Sequence, residues 1–257
     1  MFLSNLETST SDIGGVFVIP DLGEVGGDNT YDSTADGNVA EYIVAGGGND
    51  SIIAGAGDDQ VDGGTGNEEI DLGDGNDFAI DAIGDTQITG GAGSDVGLTF
   101  SGNGQFFETE DDGEGDFYCG GFGMDTFMGG AGNDVLVGDF TEDYGSDDVL
   151  EGGTGDDLLE GGEGADTFVF SVNDGNDIIG DIQIDWENPL ASTVDGPDFT
   201  SGTDMILLED FGYASGAEAF ANVADVDGVA TFSDQNTTIT FAGLTAADLS
   251  ADDFIIA

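Results

Sequence analysis

Gly46-Gly47-Gly48-Asn49-Asp50-Ser51-Ile52 decides the reading of this chain, because its pattern of glycines, then an acid, then an apolar residue recurs. A second clear copy is Gly73-Asp74-Gly75-Asn76-Asp77. Between and beyond them Gly48, Gly57, Gly66, Gly75, Gly84, Gly93 and Gly102 fall nine residues apart. An acid follows two positions later at Asp50, Asp59, Glu68, Asp77 and Asp95. Two further on sits a mostly apolar residue: Ile52, Val61, Ile70, Ala79 and Ile88. The unit reads G-G-x-G-x-D-x-U-x, with U apolar, and a period this short is the mark of a repeat architecture.

Working outward, the phase breaks after Gly104. It resumes with Gly120-Gly121-Phe122-Gly123-Met124-Asp125-Thr126-Phe127 and Gly129-Gly130-Ala131-Gly132-Asn133-Asp134-Val135-Leu136. Five extra residues fall between 138 and 151. The pattern then returns at Asp148 and Leu150, at Gly152-Gly153-Thr154-Gly155-Asp156-Asp157-Leu158-Leu159, and at Gly161-Gly162-Glu163-Gly164-Ala165-Asp166-Thr167-Phe168. Two units are weak: 81–89 has Thr86 in place of the acid, and 90–98 has Gly97 in place of the apolar residue. Cation occupancy is expected to be lowest near these.

Each unit has two halves. The glycines let the backbone turn tightly with its carbonyls inward. The x-U-x half suits a short strand with U in a core and its neighbours outside. One buried side chain per unit cannot offset the entropy of nine ordered residues at about 1 kcal/mol or more each. The units must therefore stack, as a solenoid.

The turns carry carboxylates and carbonyls and little else, which suits calcium, a hard ion taking 6–8 oxygen ligands at about 2.3–2.6 Å. With no His and a single Cys, the usual zinc and copper sites are excluded. Magnesium, which insists on octahedral geometry, fits a carbonyl-rich turn poorly. The candidate calcium residues of the first block are Gly46, Gly48, Asp50, Gly55, Gly57, Asp59, Gly64, Gly66, Glu68, Gly73, Gly75, Asp77 and Asp95. Those of the second are Gly121, Gly123, Asp125, Gly130, Gly132, Asp134, Asp148, Gly153, Gly155, Asp157, Gly162, Gly164 and Asp166, with Asp177 beyond it.

Composition agrees. The 257 residues include 56 Asp plus Glu and no Lys, Arg or His, a formal charge of −56. No internal salt bridge between side chains can form, and self-repulsion opposes a compact state unless external cations neutralise it. Apolar residues make up 38% of the chain, with 18 Phe and only 3 Pro, and this argues against simple disorder once cations are present. Without them, disorder is expected. Nucleic acid is excluded as a partner for want of Lys and Arg. No apolar run approaches the length needed to span a bilayer. The start, Met1-Phe2-Leu3-Ser4-Asn5-Leu6-Glu7, does not read as a cleavable signal peptide. Cys119 reads as a small buried apolar residue, an intermolecular disulfide being the alternative.

These residues resemble the RTX (repeats-in-toxin) hemolysin-type calcium-binding repeat. The resemblance implies an all-β fold: a calcium-loaded parallel β-roll in which two units make one turn, interrupted once, with a C-terminal β-rich cap. It also implies ions shared between units two apart: Asp50 with Glu68, Asp59 with Asp77, Asp77 with Asp95, Asp148 with Asp166. Glu68, longer than the family aspartate, weakens the first pair. The stretch after 165 is similar to the cap of serralysin-type β-rolls: Asp174-Gly175-Asn176-Asp177, Asp204-Met205-Ile206-Leu207-Leu208, β-type runs at 228–233 and 237–242, Leu244 to Leu249, and Asp252-Asp253-Phe254-Ile255-Ile256-Ala257. Such a C-terminus implies recognition by a type I secretion system and an extracellular location. The expected division is 1–44, an N-terminal cap or leader with a strand at Val16-Phe17-Val18-Ile19; 45–104, a first roll block; 105–119, an irregular aromatic and acidic insertion; 120–170, a second block; and 171–257, the cap and secretion signal.

The function expected is that of a secreted calcium-binding protein that folds on meeting extracellular calcium. It would be a non-catalytic matrix, surface-layer or adhesion component, self-associating or holding a cell-surface partner. The alternatives are the C-terminal-type module of a secreted hydrolase or epimerase, and a toxin-related protein. H-E-x-x-H and Ser–His chemistry both need a His the chain lacks. Only 1–44 lies outside repeats and cap, which is short for a catalytic domain. Roughly eight to ten calcium ions are expected, at the weak affinities of extracellular modules. Trp186 is expected to pack on the cap rather than bind sugar.

Overall fold

Residues 17–18, 27–34, 37–108, 113–139 and 145–257 are described in the computed structural model of the chain. Each x-U-x half is a short strand, and alternate strands join two sheets that face one another. One sheet runs through Glu41–Val44, Gln60–Thr65, Phe78–Ile83, Val96–Thr99, Phe117–Cys119, Val135–Val137, Leu158–Glu160 and Gly175–Ile179. The other runs through Thr30–Asp32, Ser51–Ile53, Glu69–Asp74, Gln87–Ala92, Gln105–Phe107, Thr126–Met128, Val149–Glu151, Thr167–Phe170, Met205–Leu208 and Phe254–Ile256. Every neighbouring pair in these two runs is parallel. The chain is thus a parallel β-roll: it alternates sheets at each turn and returns two units later, one strand along.

Register aligns the U residues into two columns. One reads Ile52, Ile70, Ile88, Phe106, Phe127, Leu150, Phe168, Ile206. The facing one reads Ile43, Val61, Ala79, Gly97, Tyr118, Leu136, Leu159, Ile179. These side chains form one buried core, and the size of a residue in one column answers that of its neighbours. Gly97 has no side chain, and the space is filled by the rings of Tyr118 and Phe106. Phe106 stacks on Phe127 at 5.0 Å and on Tyr118 at 5.3 Å, so aromatic offset stacking thickens the core there.

The roll is continuous where the spelling of the repeat lapses. Residues 105–119, expected to be an irregular insertion, supply a strand to each sheet, Gln105–Phe107 and Phe117–Cys119, both in register. Period-nine spacing fails there because the turn between them is longer, while the strands keep their apolar centres Phe106 and Tyr118. At the other end, Thr30–Asp32 and Glu41–Val44 belong to the stack, and Phe17–Val18 pairs in parallel with Glu41 and Tyr42. A separate cap or leader over 1–44 is therefore corrected for these strands; Val16, Ile19 and the rest of 1–16, 19–26 and 35–36 lie outside the described residues.

The C-terminal part closes the roll. Thr237–Phe241 pairs in parallel with Gly175–Ile179, then antiparallel with Val229–Asp234, which pairs antiparallel with Val223–Val226. Phe199, Phe211, Phe232 and Phe254 seal the core end. A small antiparallel pair, Asp181–Gln183 with Thr193–Gly196, stands off the stack. Trp186, largely exposed, meets the edge of Phe117 in the roll at 6.2 Å. Cys119 is free and buried among Leu98, Val135 and Val137.

Candidate metal centre

The repeat acids sit at the turns, on the two long edges of the roll, and all are buried. On the edge leading into the first sheet, each aspartate amide donates to the carboxylate one layer on. Asp59 N donates to Asp77 Oδ1 at 2.6 Å, Asp77 N to Asp95 at 2.8 Å, and Asp95 N to Asp116 at 2.8 Å. Asp116 N donates to Asp134 at 2.8 Å, Asp134 N to Asp157 at 2.9 Å, and Asp157 N to Asp177 at 3.1 Å. On the opposite edge Asp125, Asp148, Asp166 and Asp204 form a like series.

The ladder uses one oxygen of each acid. At Asp59, Asp77, Asp125, Asp148, Asp157, Asp166 and Asp177 the other, Oδ2, is buried and accepts no hydrogen bond. An ionised oxygen in that state is costly unless a cation meets it. Glycines make the room. A Cβ on Gly120, Gly152 or Gly161, the first residue of its turn, would collide with the Oδ2 of Asp125, Asp157 or Asp166 five residues on. Carbonyls complete the cradle. Gly66 adopts φ +140°, and a Cβ there would collide with the Gly48 carbonyl oxygen one layer back. Carboxylate oxygens and inward carbonyls in one glycine-lined turn are the donor set of a hard cation, and calcium fits it.

The electrostatics agree. Burial, reinforced by neighbouring carboxylates, pushes Asp77, Asp157 and Asp177 up to about 8 and Asp148 up to about 9. Metal-free, the edges hold acids that resist ionising; a divalent ion reverses that preference.

The pairs implied by the resemblance are neighbours. Asp59 with Asp77, Asp77 with Asp95 and Asp148 with Asp166 are joined by the amide–carboxylate ladder. Asp50 and Glu68 head the paired strands Ser51–Ile53 and Glu69–Asp74. Glycines 46, 55, 64, 73, 121, 130, 153 and 162 all take positive φ, as the turn requires.

Several acids were missed by the period-nine spacing, Glu41 among them, whose amide donates to Asp59 Oδ1 at 2.7 Å. Asp116 occupies the ladder between Asp95 and Asp134. Glu108 brings a third carboxylate to it: oxygens of Asp95, Glu108 and Asp116 lie within 4.8 Å of one another. The signal was present as Asp116-Phe117-Tyr118-Cys119, which repeats D-x-U-x after a lengthened turn. Asp204 ends the second edge, where Asp166 N donates to it at 3.1 Å. A cavity of about 520 Å³ lies nearby, lined in part by Asp139, Glu160, Asp181 and Asp198.

A family model described as the RTX calcium-binding nonapeptide repeat (4 copies) matches residues 36–67, 44–79, 120–144 and 144–179. Among solved structures the chain is similar to the extracellular lipase LipA from Serratia marcescens, at 17% identity and a TM-score of 0.38. That match covers 86% of this chain and 45% of the lipase chain, so this chain spans less than half of the lipase's length. No curated protein matches it. Stacked turns, buried acids and family match together identify the two matched blocks, 36–79 and 120–179, as RTX calcium-binding nonapeptide repeats.

Proposed function

We propose that this chain is a secreted, non-catalytic calcium protein that folds when it meets extracellular calcium. The observation that carries the reading is the row of buried carboxylate oxygens without hydrogen-bond partners, in a chain with no Lys, Arg or His to neutralise them. Its calcium would lie between stacked turns, held by the repeat aspartates and turn carbonyls, in roughly eight to ten places.

The physical logic is a switch. At about 10 mM free calcium and a Kd of about 1 mM, each independent site adds roughly 1.4 kcal/mol to the folded state. At cytosolic levels that contribution vanishes and the repulsion of 56 acidic side chains remains. Such a chain would stay unfolded inside the cell, pass outward through a type I secretion system, and fold outside. With most of its surface charge still negative, it suits an extracellular matrix, surface layer or adhesive contact, including assembly of copies through shared calcium. No described helix is long and apolar enough to cross a membrane.

The test is far-ultraviolet circular dichroism of the full chain titrated with calcium or magnesium, with light scattering on the same samples. A cooperative gain of β signal with calcium alone, at 0.1–10 mM as about expected for extracellular modules, supports the reading. Growth in particle size with calcium supports an assembling role. A β spectrum unchanged in chelator overturns it.

A further inference from the structure

The turn spanning 81–86 lacks the motif aspartate, having Thr86 in its place, yet it does not lack a carboxylate. Its first residue is Asp81, where the turns beginning at Gly90, Gly120, Gly129, Gly152 and Gly161 have glycine. In those turns a first-residue Cβ would point at the Oδ2 of the aspartate five residues on. An aspartate at the first position therefore aims its carboxylate at the place the motif acid normally fills. The exchange of sixth-position Asp for Thr leaves room for it.

The side chains show this arrangement. Asp81, Thr86 and Glu68 are 1%, 1% and 3% exposed. Thr86 Oγ1 lies 2.8 Å from Asp81 Oδ2 and 3.1 Å from Glu68 Oε2. A hydroxyl has one proton to donate, so it satisfies only one of the two carboxylates at a time. The other oxygens, Asp81 Oδ1 and Glu68 Oε1, are buried and accept no hydrogen bond. Asp81 Oδ1 is also 3.1 Å from where a Cβ on Gly63 would lie, so it faces the adjacent layer that carries Glu68. Burial pushes both carboxyls upward, and the charge of Asp81 pushes Glu68 further. Two buried carboxyls held this close cannot both ionise unshielded: they share a proton, or take a cation between them.

We infer that Asp81 takes over the role of the missing motif aspartate, so that Asp81, Glu68 and the Thr86 hydroxyl hold a calcium ion in a turn that the repeat pattern marks as vacant of one. This rests on the reading of the regular turns as calcium sites. It reverses the expectation of low occupancy at 81–89: the acid has moved within the turn.

The test counts calcium bound per full-length chain at saturation, by equilibrium dialysis with elemental analysis. Asp81→Asn is compared with Asp157→Asn, a control in a regular turn, and with the exchange Asp81→Gly/Thr86→Asp, which restores the motif spelling. The expected result is one ion fewer for Asp81→Asn and for Asp157→Asn, and the wild-type count for the exchange. Loss of an ion from Asp157→Asn but not from Asp81→Asn overturns the inference and leaves the reading of the regular turns standing. Should Asp81→Asn fail to fold, the exchange decides alone: an unchanged count supports the inference, and one additional ion overturns it, because Thr86→Asp would then have created a site where none existed. A wild-type chain that binds no calcium overturns both.

Discussion

Gly97 and Tyr118 lie side by side in parallel register, and the tyrosine ring occupies the space a Cβ on Gly97 would take, 2.9 Å from its Cδ1. What reads as a defective repeat is half of a small–large pair. Gly97→Val is expected to lower stability at saturating calcium by about 1–3 kcal/mol, the usual cost of overpacking. Thermal melting in calcium checks this, and Gly97→Val combined with Tyr118→Leu should recover part of the loss.

An interior rung of the ladder should matter more than its end. Asp157 accepts from Asp134 N and donates to Asp177, while Asp50 accepts from Asn29, outside the regular repeats. Asp157→Asn is expected to cost about 1–3 kcal/mol at fixed calcium, as lost charged interactions do, and Asp50→Asn less. Calcium midpoints followed by circular dichroism would rank them; equal midpoints would mean the sites do not couple along the edge.

Glu108 adds a third carboxylate at Asp95 and Asp116. Glu108→Gln is expected to weaken one site without removing it, since both ladder aspartates remain. A calcium titration should show the same number of ions with the tightest class of binding shifted weaker.

Acid should partly stand in for calcium. Asp77, Asp157 and Asp177 rise to about 8 in the metal-free fold, against about 3.9 in an unfolded chain. The folded state then binds more protons, so these groups favour folding at low pH and lose that contribution as pH rises through about 8. Chelated protein should gain β signal between pH 8 and pH 5, and calcium affinity should fall over the same range as protons compete. A chelated spectrum that is flat in pH would contradict both.

Much of this was legible because the period of nine ties chemistry to geometry. An acid two places after a glycine and an apolar residue two places after the acid imply one turn and one strand, and Asp59, Ile70 and Leu159 take those places. Legibility stopped where spacing changed but stacking did not. Asp95 to Asp116 is 21 residues, not 18, because the turn before Asp116 is longer. Asp125 to Asp148 is 23 for the same reason. Turn length is set on the exposed edge and is free to vary, whereas strand register is set by the core and is not. Asp81 was passed over because only the three-dimensional turn shows that its first and sixth residues point at one spot.

The two edges are unequal. One carries an unbroken series from Asp59 to Asp177; the other, across Glu68, Thr86 and Gly104, has the motif acid lengthened, then replaced, then absent before it resumes at Asp125. Under tension along its long axis, such a rod is held by two seams of different strength. The weaker one yields first near its middle, and the rod hinges open about the stronger. Shear in moving water would load it in that way, and the resistance of the whole molecule would be set by the few residues around Gly104, where the seam has no acid of its own, and not by the number of its repeats.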